Sequence, residues 1–163
     1  MAIEYGDGSD SNTGRIVQVV SAHKTNHFST TSTSWTSTGL EASISPKSSD
    51  SKLLILVDAK MGMASGNIGY VRLYRGNNFI NYGDAHSSTL QCTSVADGSG
   101  CQHDAYPASA IYLDSPATTS STTYKIKYRG NNGNTVRINR AGSNRSSNDG
   151  VFASSLTLME IAV

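Results

Sequence analysis

Lys52-Leu-Leu-Ile-Leu-Val-Asp-Ala-Lys-Met-Gly-Met63 decides the fold class of this chain. Leu53, Ile55, Val57, Ala59, Met61 and Met63 recur at every second position, which places them on one face of an extended strand. Leu54, Leu56, Asp58 and Lys60 fall on the other face, so the strand begins apolar on both sides and ends with one side in water. A helix would scatter the same residues around its axis, because its period is about 3.6 residues.

The segments on either side read the same way. Gly39-Leu-Glu-Ala-Ser-Ile-Ser45 alternates Leu40, Ala42 and Ile44 with Glu41, Ser43 and Ser45, and Pro46 to Ser51 is turn chemistry. Arg15 to Ser21 is β-branched and of strand length. The hydroxyl run Ser29 to Thr38 is broken by Trp35; Thr and Trp both suit a pleated surface, which predicts a short edge strand around Trp35. Ile68 to Arg75 sets Ile68, Tyr70, Arg72 and Tyr74 on one face, and Gly76-Asn-Asn78 turns the chain into Phe79 to Tyr82. Ala108 to Asp114 is strand-like and stops at Ser115-Pro116. Thr122 to Arg129 alternates Tyr124, Ile126 and Tyr128 with Lys125, Lys127 and Arg129, and Gly130-Asn-Asn-Gly-Asn134 predicts a hairpin into Thr135 to Arg140. After a polar loop at 141–150 the chain closes with Phe152 to Val163, so apolar that the core or another subunit must cover it. The expectation is an all-β antiparallel sandwich of about eight to ten strands with no significant helix.

Composition agrees. Hydrophobic residues are 37% and charged residues 15% of the 163, whereas 26 Ser, 15 Thr and 15 Gly make up a third of the chain. Ser, Thr and Gly are poor helix interiors and good turn formers. The formal net charge is +1, with no footprint for nucleic acid and no polybasic patch for lipid. No stretch has the length of a membrane span, so no membrane insertion is expected. Met1 to Asp10 is acidic and Gly-rich, unlike a signal peptide, which predicts synthesis in a cytoplasm.

Catalytic chemistry has little support. His23, His27, His86 and His103 lack any flanking signature such as G-x-S-x-G, and no phosphate-binding glycine motif occurs. The reading is of a non-enzyme with no cofactor and no metal. Asp84, His86, Cys92, Cys101, His103 and Asp104 share one polar segment, but their spacing matches no zinc module, and a surface loop is the plainer reading. Cys92 and Cys101 are close enough in sequence for a local disulfide; two free thiols in a loop is the alternative, and the residues do not decide between them. Eight Tyr and one Trp among few aromatics suit sugar-gripping loops. His86, His103, Asp104, Tyr106, Asn144 and Arg145 are the candidate loop contacts. Tyr124 and Tyr128 alternate so regularly that core or interface is their reading, together with Leu54, Leu56, Leu158 and Ile161.

In combination, several stretches resemble small virion structural proteins of phages, especially of cyanophages, of the tail-fibre-like or capsid-decorating type. They are Tyr5 to Val20, Thr30 to Ser34, Gly39 to Pro46, Ser51 to Val57, Leu113 to Pro116, Thr123 to Lys127, Ile138 to Arg140 and Leu158 to Ile161. The resemblance implies a jelly-roll sandwich similar in outline to the globular heads of complement and tumour necrosis factor-like proteins, and a homotrimer with one face of several strands buried between subunits. It implies a virion protein, made in the host cytoplasm and released on lysis. Residues 1–14 are then a docking arm, with Ile3, Tyr5, Asp7 and Asp10 as contacts to another capsid or tail protein, and 15–163 form a single domain. A free carbohydrate-binding module that recognises host surface glycans is the alternative.

Overall fold

A computed structural model describes residues 13–98, 103–142 and 149–163. Every regular element in them is a strand, and there are thirteen. In chain order they are β1 (Ile16–Lys24), β2 (Phe28–Thr30), β3 (Thr36–Ile44), β4 (Lys52–Asp58), β5 (Lys60–Met63), β6 (Ile68–Arg75) and β7 (Asn78–Ile80). Then follow β8 (Ser94–Asp97), β9 (Tyr106–Pro107), β10 (Ala110–Asp114), β11 (Thr122–Gly130), β12 (Val136–Ile138) and β13 (Ser154–Ile161). All pairings are antiparallel.

Three sheets result. Sheet one runs β1-β13-β4-β10, sheet two runs β3-β11-β6-β7 with β8 also on β6, and sheet three runs β2-β12-β5-β9. The third repeats the order of the first, one element further along or back in the chain: β2 follows β1, β12 precedes β13, β5 follows β4 and β9 precedes β10. Sheets one and three are therefore one layer of four long strands, interrupted across its width. Sheet two packs against it to make a β-sandwich. Counted through the interruption, first pairs with last, second with seventh, third with sixth and fourth with fifth, which is the rolled-up long hairpin of a jelly roll. The interruption also explains why thirteen strands appear where about eight to ten were expected from turn spacing.

The decisive stretch behaves as its alternation demands. Leu53, Ile55, Val57, Ala59, Met61 and Met63 are all buried in one core cluster, even though the ladder breaks at Ala59 between β4 and β5. Gly62 is required beside it, because a Cβ there would lie 2.0 Å from the Arg140 carbonyl oxygen. Leu40, Ala42 and Ile44 of β3 and Tyr124, Ile126 and Tyr128 of β11 face the same core. The apolar C-terminal strand is covered from both sides: β13 lies between β1 and β4 in the middle of sheet one.

A buried asparagine closes the interruption. Asn139 has a φ of 60°, a left-handed conformation that Asn tolerates better than most residues, and is fully buried. Its Nδ2 donates to the carbonyls of Lys24 (2.7 Å) and Asn26 (3.2 Å), and its Oδ1 accepts from Ser154 Oγ. Ser154 Oγ in turn accepts from the Lys60 amide at 3.0 Å, and the Asn139 amide donates to the Lys60 carbonyl at 3.0 Å. The ends of β1, β5, β12 and β13 thus meet around Asn139 and Ser154. A second cluster ties sheet one to sheet two. One Arg75 nitrogen lies 2.9 Å from both carboxylate oxygens of the buried Asp114, and the Tyr124 hydroxyl donates to Asp114 at 2.6 Å. Burial, then that bond to a carboxylate, pushes the Tyr124 hydroxyl pKa far above its ordinary value. Tyr128 is raised by burial, with Asp58 adding, and its hydroxyl makes no hydrogen bond among the described residues.

Two expectations are corrected. Thr122–Arg129 and Thr135–Arg140 do not form a hairpin: β11 pairs with β3 and β6, whereas β12 pairs with β2 and β5. The turn itself forms, with positive φ at Asn132 and Gly133, but Gly130 donates to Ser32 O and Asn131 to Ile68 O, so the chain crosses between layers. Trp35 is not the centre of an edge strand; the hydroxyl run divides into β2 and the start of β3, with Trp35 in the link between them.

Two substitutions test this account. Asn139→Ala removes three buried hydrogen bonds and strains a left-handed position, and should cost about 3 kcal/mol in urea unfolding. Tyr128→Phe removes an unpaired buried hydroxyl, and should leave stability unchanged or raise it by about 1 kcal/mol.

Candidate functional site

The sequence-predicted loop residues do not form one site. His103 stands where the 103–105 segment meets 149–150: its Nδ1 is 2.9 Å from Asp149 Oδ1 and its carbonyl accepts from Gly150 N. Asp104 is exposed beside it, and Tyr106 lies half-buried in β9 against the core. His86 belongs to a different place, the loop over sheet two, where its carbonyl accepts from the Thr89 amide. Asn144 and Arg145 lie outside the described residues, as do Ile3, Tyr5, Asp7 and Asp10 of the arm. Cys101 does too; Cys92 is a half-buried thiol, pushed up by burial against the opposing pull of Arg72. Among the described residues no three of His, Cys, Asp and Glu gather as metal ligands.

The subunit-interface candidates divide. Tyr124, Tyr128 and Leu158 are core. Leu54, Leu56 and Ile161 are not; they lie on the outward face of sheet one. Register assembles the rest of that face. Val19, Met159, Leu54 and Leu113 form one row across all four strands. Ser21, Thr157, Leu56 and Ile111 form the next, and Ile16, Ile161 and Lys52 a third. Ile111 is 75% exposed, Ile16 and Val19 55%, and Leu113 53%. The two central rows contain no charge. Sequence reasoning found the two central strands of this surface but not its outer strands, because only the register sets Val19 of β1 and Ile111 and Leu113 of β10 beside them.

The outward face of sheet two has the opposite character. Its rows read Glu41–Lys125–Tyr74–Phe79, then Ser37–Lys127–Arg72, then Arg129–Tyr70–Val95, then Asn131 with Ile68 and Asp97. Cations from β11 stand beside aromatics from β6. The Arg72 guanidinium lies between Trp35 and Phe79, 4.2 and 4.1 Å from their ring centres, and Lys127 Nζ lies 4.5 Å from that of Tyr74. Arg72 Nε also donates to the Gln91 carbonyl at 2.8 Å, fixing the 83–93 loop to the sheet. Beside Arg129 and Tyr70 this loop forms an open cavity of about 480 Å³.

No protein-family model matches this chain, and no curated protein matches it in sequence.

Proposed function

We propose that the chain is a structural subunit displayed on a phage particle, of the tail-fibre-like or capsid-decorating type, acting by assembly and binding rather than by catalysis. The observation that carries the assembly half of this reading is the outward face of sheet one. Monomeric proteins seldom expose a large contiguous apolar patch, and here the row Val19–Met159–Leu54–Leu113 is apolar across the whole width of the sheet. Because the two central rows are uncharged, copies of the same face can approach without like-charge repulsion, while Ser21 and Thr157 hydrogen-bond each other at 2.9 Å and so present little unpaired polarity. The occupant that fits is a second and third copy of this chain, arranged about an axis to form the trimer that the sequence resemblance implies.

The virion half rests on that resemblance and on the sandwich fold it called for. The arm contributes a partner contact in this reading. Its root is placed at the edge of sheet one: Gly14 N donates to Ala162 O at 2.7 Å and Ala162 N to Arg15 O at 2.9 Å. Gly14 and Arg15 are thus tied to the end of β13, and in this reading the arm, residues 1–14, leaves the domain at that edge.

Light scattering on the purified protein should give the mass of three chains. Ile111→Glu with Leu113→Glu should give the mass of one, with an unchanged β-type circular dichroism spectrum; a variant that still forms the parent oligomer would exclude this face. Purified particles should contain the protein, and its absence from them would end the virion reading. Deleting 1–12 should leave the oligomer intact and abolish its incorporation into particles.

A further inference from the structure

Although the formal net charge of the chain is only +1, its charges are segregated. Arg72, Lys125, Lys127 and Arg129 share the outward face of sheet two, while Glu41 and Asp97 stand at opposite corners of it. Three of the aromatics on that face are already engaged: Trp35 and Phe79 carry Arg72, and Tyr74 carries Lys127. Arg129 is held more loosely than Arg72 and Lys127. Its guanidinium lies 5.9 Å from the Tyr70 ring centre and 6.0 Å from that of Trp35, at the outer limit of such contacts. Among the described residues its Nε reaches only the carbonyl of Gly130 next to it, at 3.4 Å.

Arg129 is also where the face becomes concave. The cavity of about 480 Å³ is bounded by Arg129, Tyr70, Ser88, Thr89, Val95 and Asn131. That volume is at the small end of ligand pockets. Among the described residues no carboxylate lines it. It offers the Arg129 guanidinium, the hydroxyls of Ser88, Thr89 and Tyr70, the Asn131 amide, and the Tyr70 ring for an apolar surface. The walls are held in place: Arg72 ties down Gln91, Thr93 Oγ1 accepts from the Leu73 amide at 2.9 Å, and Asn131 N donates to Ile68 O.

We propose that this cavity binds an acidic saccharide. Arg129 takes the carboxylate, Tyr70 lies against the apolar face of the sugar ring, and Ser88 and Asn131 meet its hydroxyls, while Thr89 Oγ1, which donates to the His86 carbonyl, accepts from one of them. Lys127 and Lys125 continue the positive column along β11, so a chain of acidic sugars would be held further along the sheet. A fork-shaped guanidinium matches a carboxylate in geometry as well as charge. Single-stranded nucleic acid fits less well, because base stacking needs open ring faces and three of these rings are covered by the protein's own cations. The inference is independent of self-association, which uses the opposite face of the sandwich.

The test is retention of the purified full-length protein on an array of uronic-acid and sialic-acid glycans, matched neutral glycans and immobilised oligothymidine. Acidic glycans should be retained at least about tenfold more strongly than their neutral counterparts, less so as salt is raised. Arg129→Gln should lower that retention at least about tenfold without changing the melting temperature, and Arg129→Lys should restore part of it. Ser88→Ala with Thr89→Ala should weaken binding while leaving its salt dependence as it was. An empty array, equal retention of acidic and neutral glycans, preference for oligothymidine, or an Arg129→Gln protein that binds like the parent would each overturn the proposal.

Discussion

The architecture depends on how four strands can bend without leaving backbone groups unpaired. A jelly-roll layer as long as this one must break its ladder, and each break exposes amides and carbonyls in a place water does not reach. Here Asn139 answers that problem. One side-chain amide, with a donor end and an acceptor end, serves two carbonyls and a hydroxyl, and the hydroxyl of Ser154 passes the connection on to Lys60. Only a residue that accepts a left-handed backbone and also carries both a donor and an acceptor meets the requirement. The faces of sheets one and three then stay continuous, and a single core runs beneath both.

The second constraint is between layers. Asp114, Arg75 and Tyr124 come from β10, β6 and β11, so their cluster joins the edge of sheet one to the two central strands of sheet two. Burying a carboxylate is costly unless it is both paired and hydrogen-bonded, and Asp114 has both kinds of partner. One polar joint thus sits at the bend and another between the layers, and neither uses the outward faces. One is apolar and uncharged at its centre, the other cationic and aromatic. That division is consistent with a subunit that meets its own kind on one side and something else on the other.

Much of this was legible in the alternation of the chain. Period two in 53–63, 39–45 and 122–129 identified the strands and their buried faces, because burial acts on each residue locally and a strand has only two sides. The opposed sets Tyr70, Arg72, Tyr74 and Lys125, Lys127, Arg129 were also visible, each on the polar side of its own strand. What alternation does not carry is which strand lies beside which. The Asn-rich turn at 130–134 shows the limit: its local chemistry is that of a hairpin, yet long-range pairing with β2 and β5 outweighed it and took β12 into the other layer. The loop candidates His86 and His103 likewise looked like neighbours in sequence and were separated by β8.

By itself, then, the amino-acid order determined the class of fold and the buried faces of the strands at 39–45, 53–63 and 122–129, since both follow from residue type and a period of two. Tertiary structure alone decided that Val19, Met159, Leu54 and Leu113 form one row, that Arg129 stands beside Tyr70 over a cavity, and that Asn139 holds the bend. Each of those depends on register between segments far apart in the chain, and register is set by the packing of the whole core rather than by any one segment.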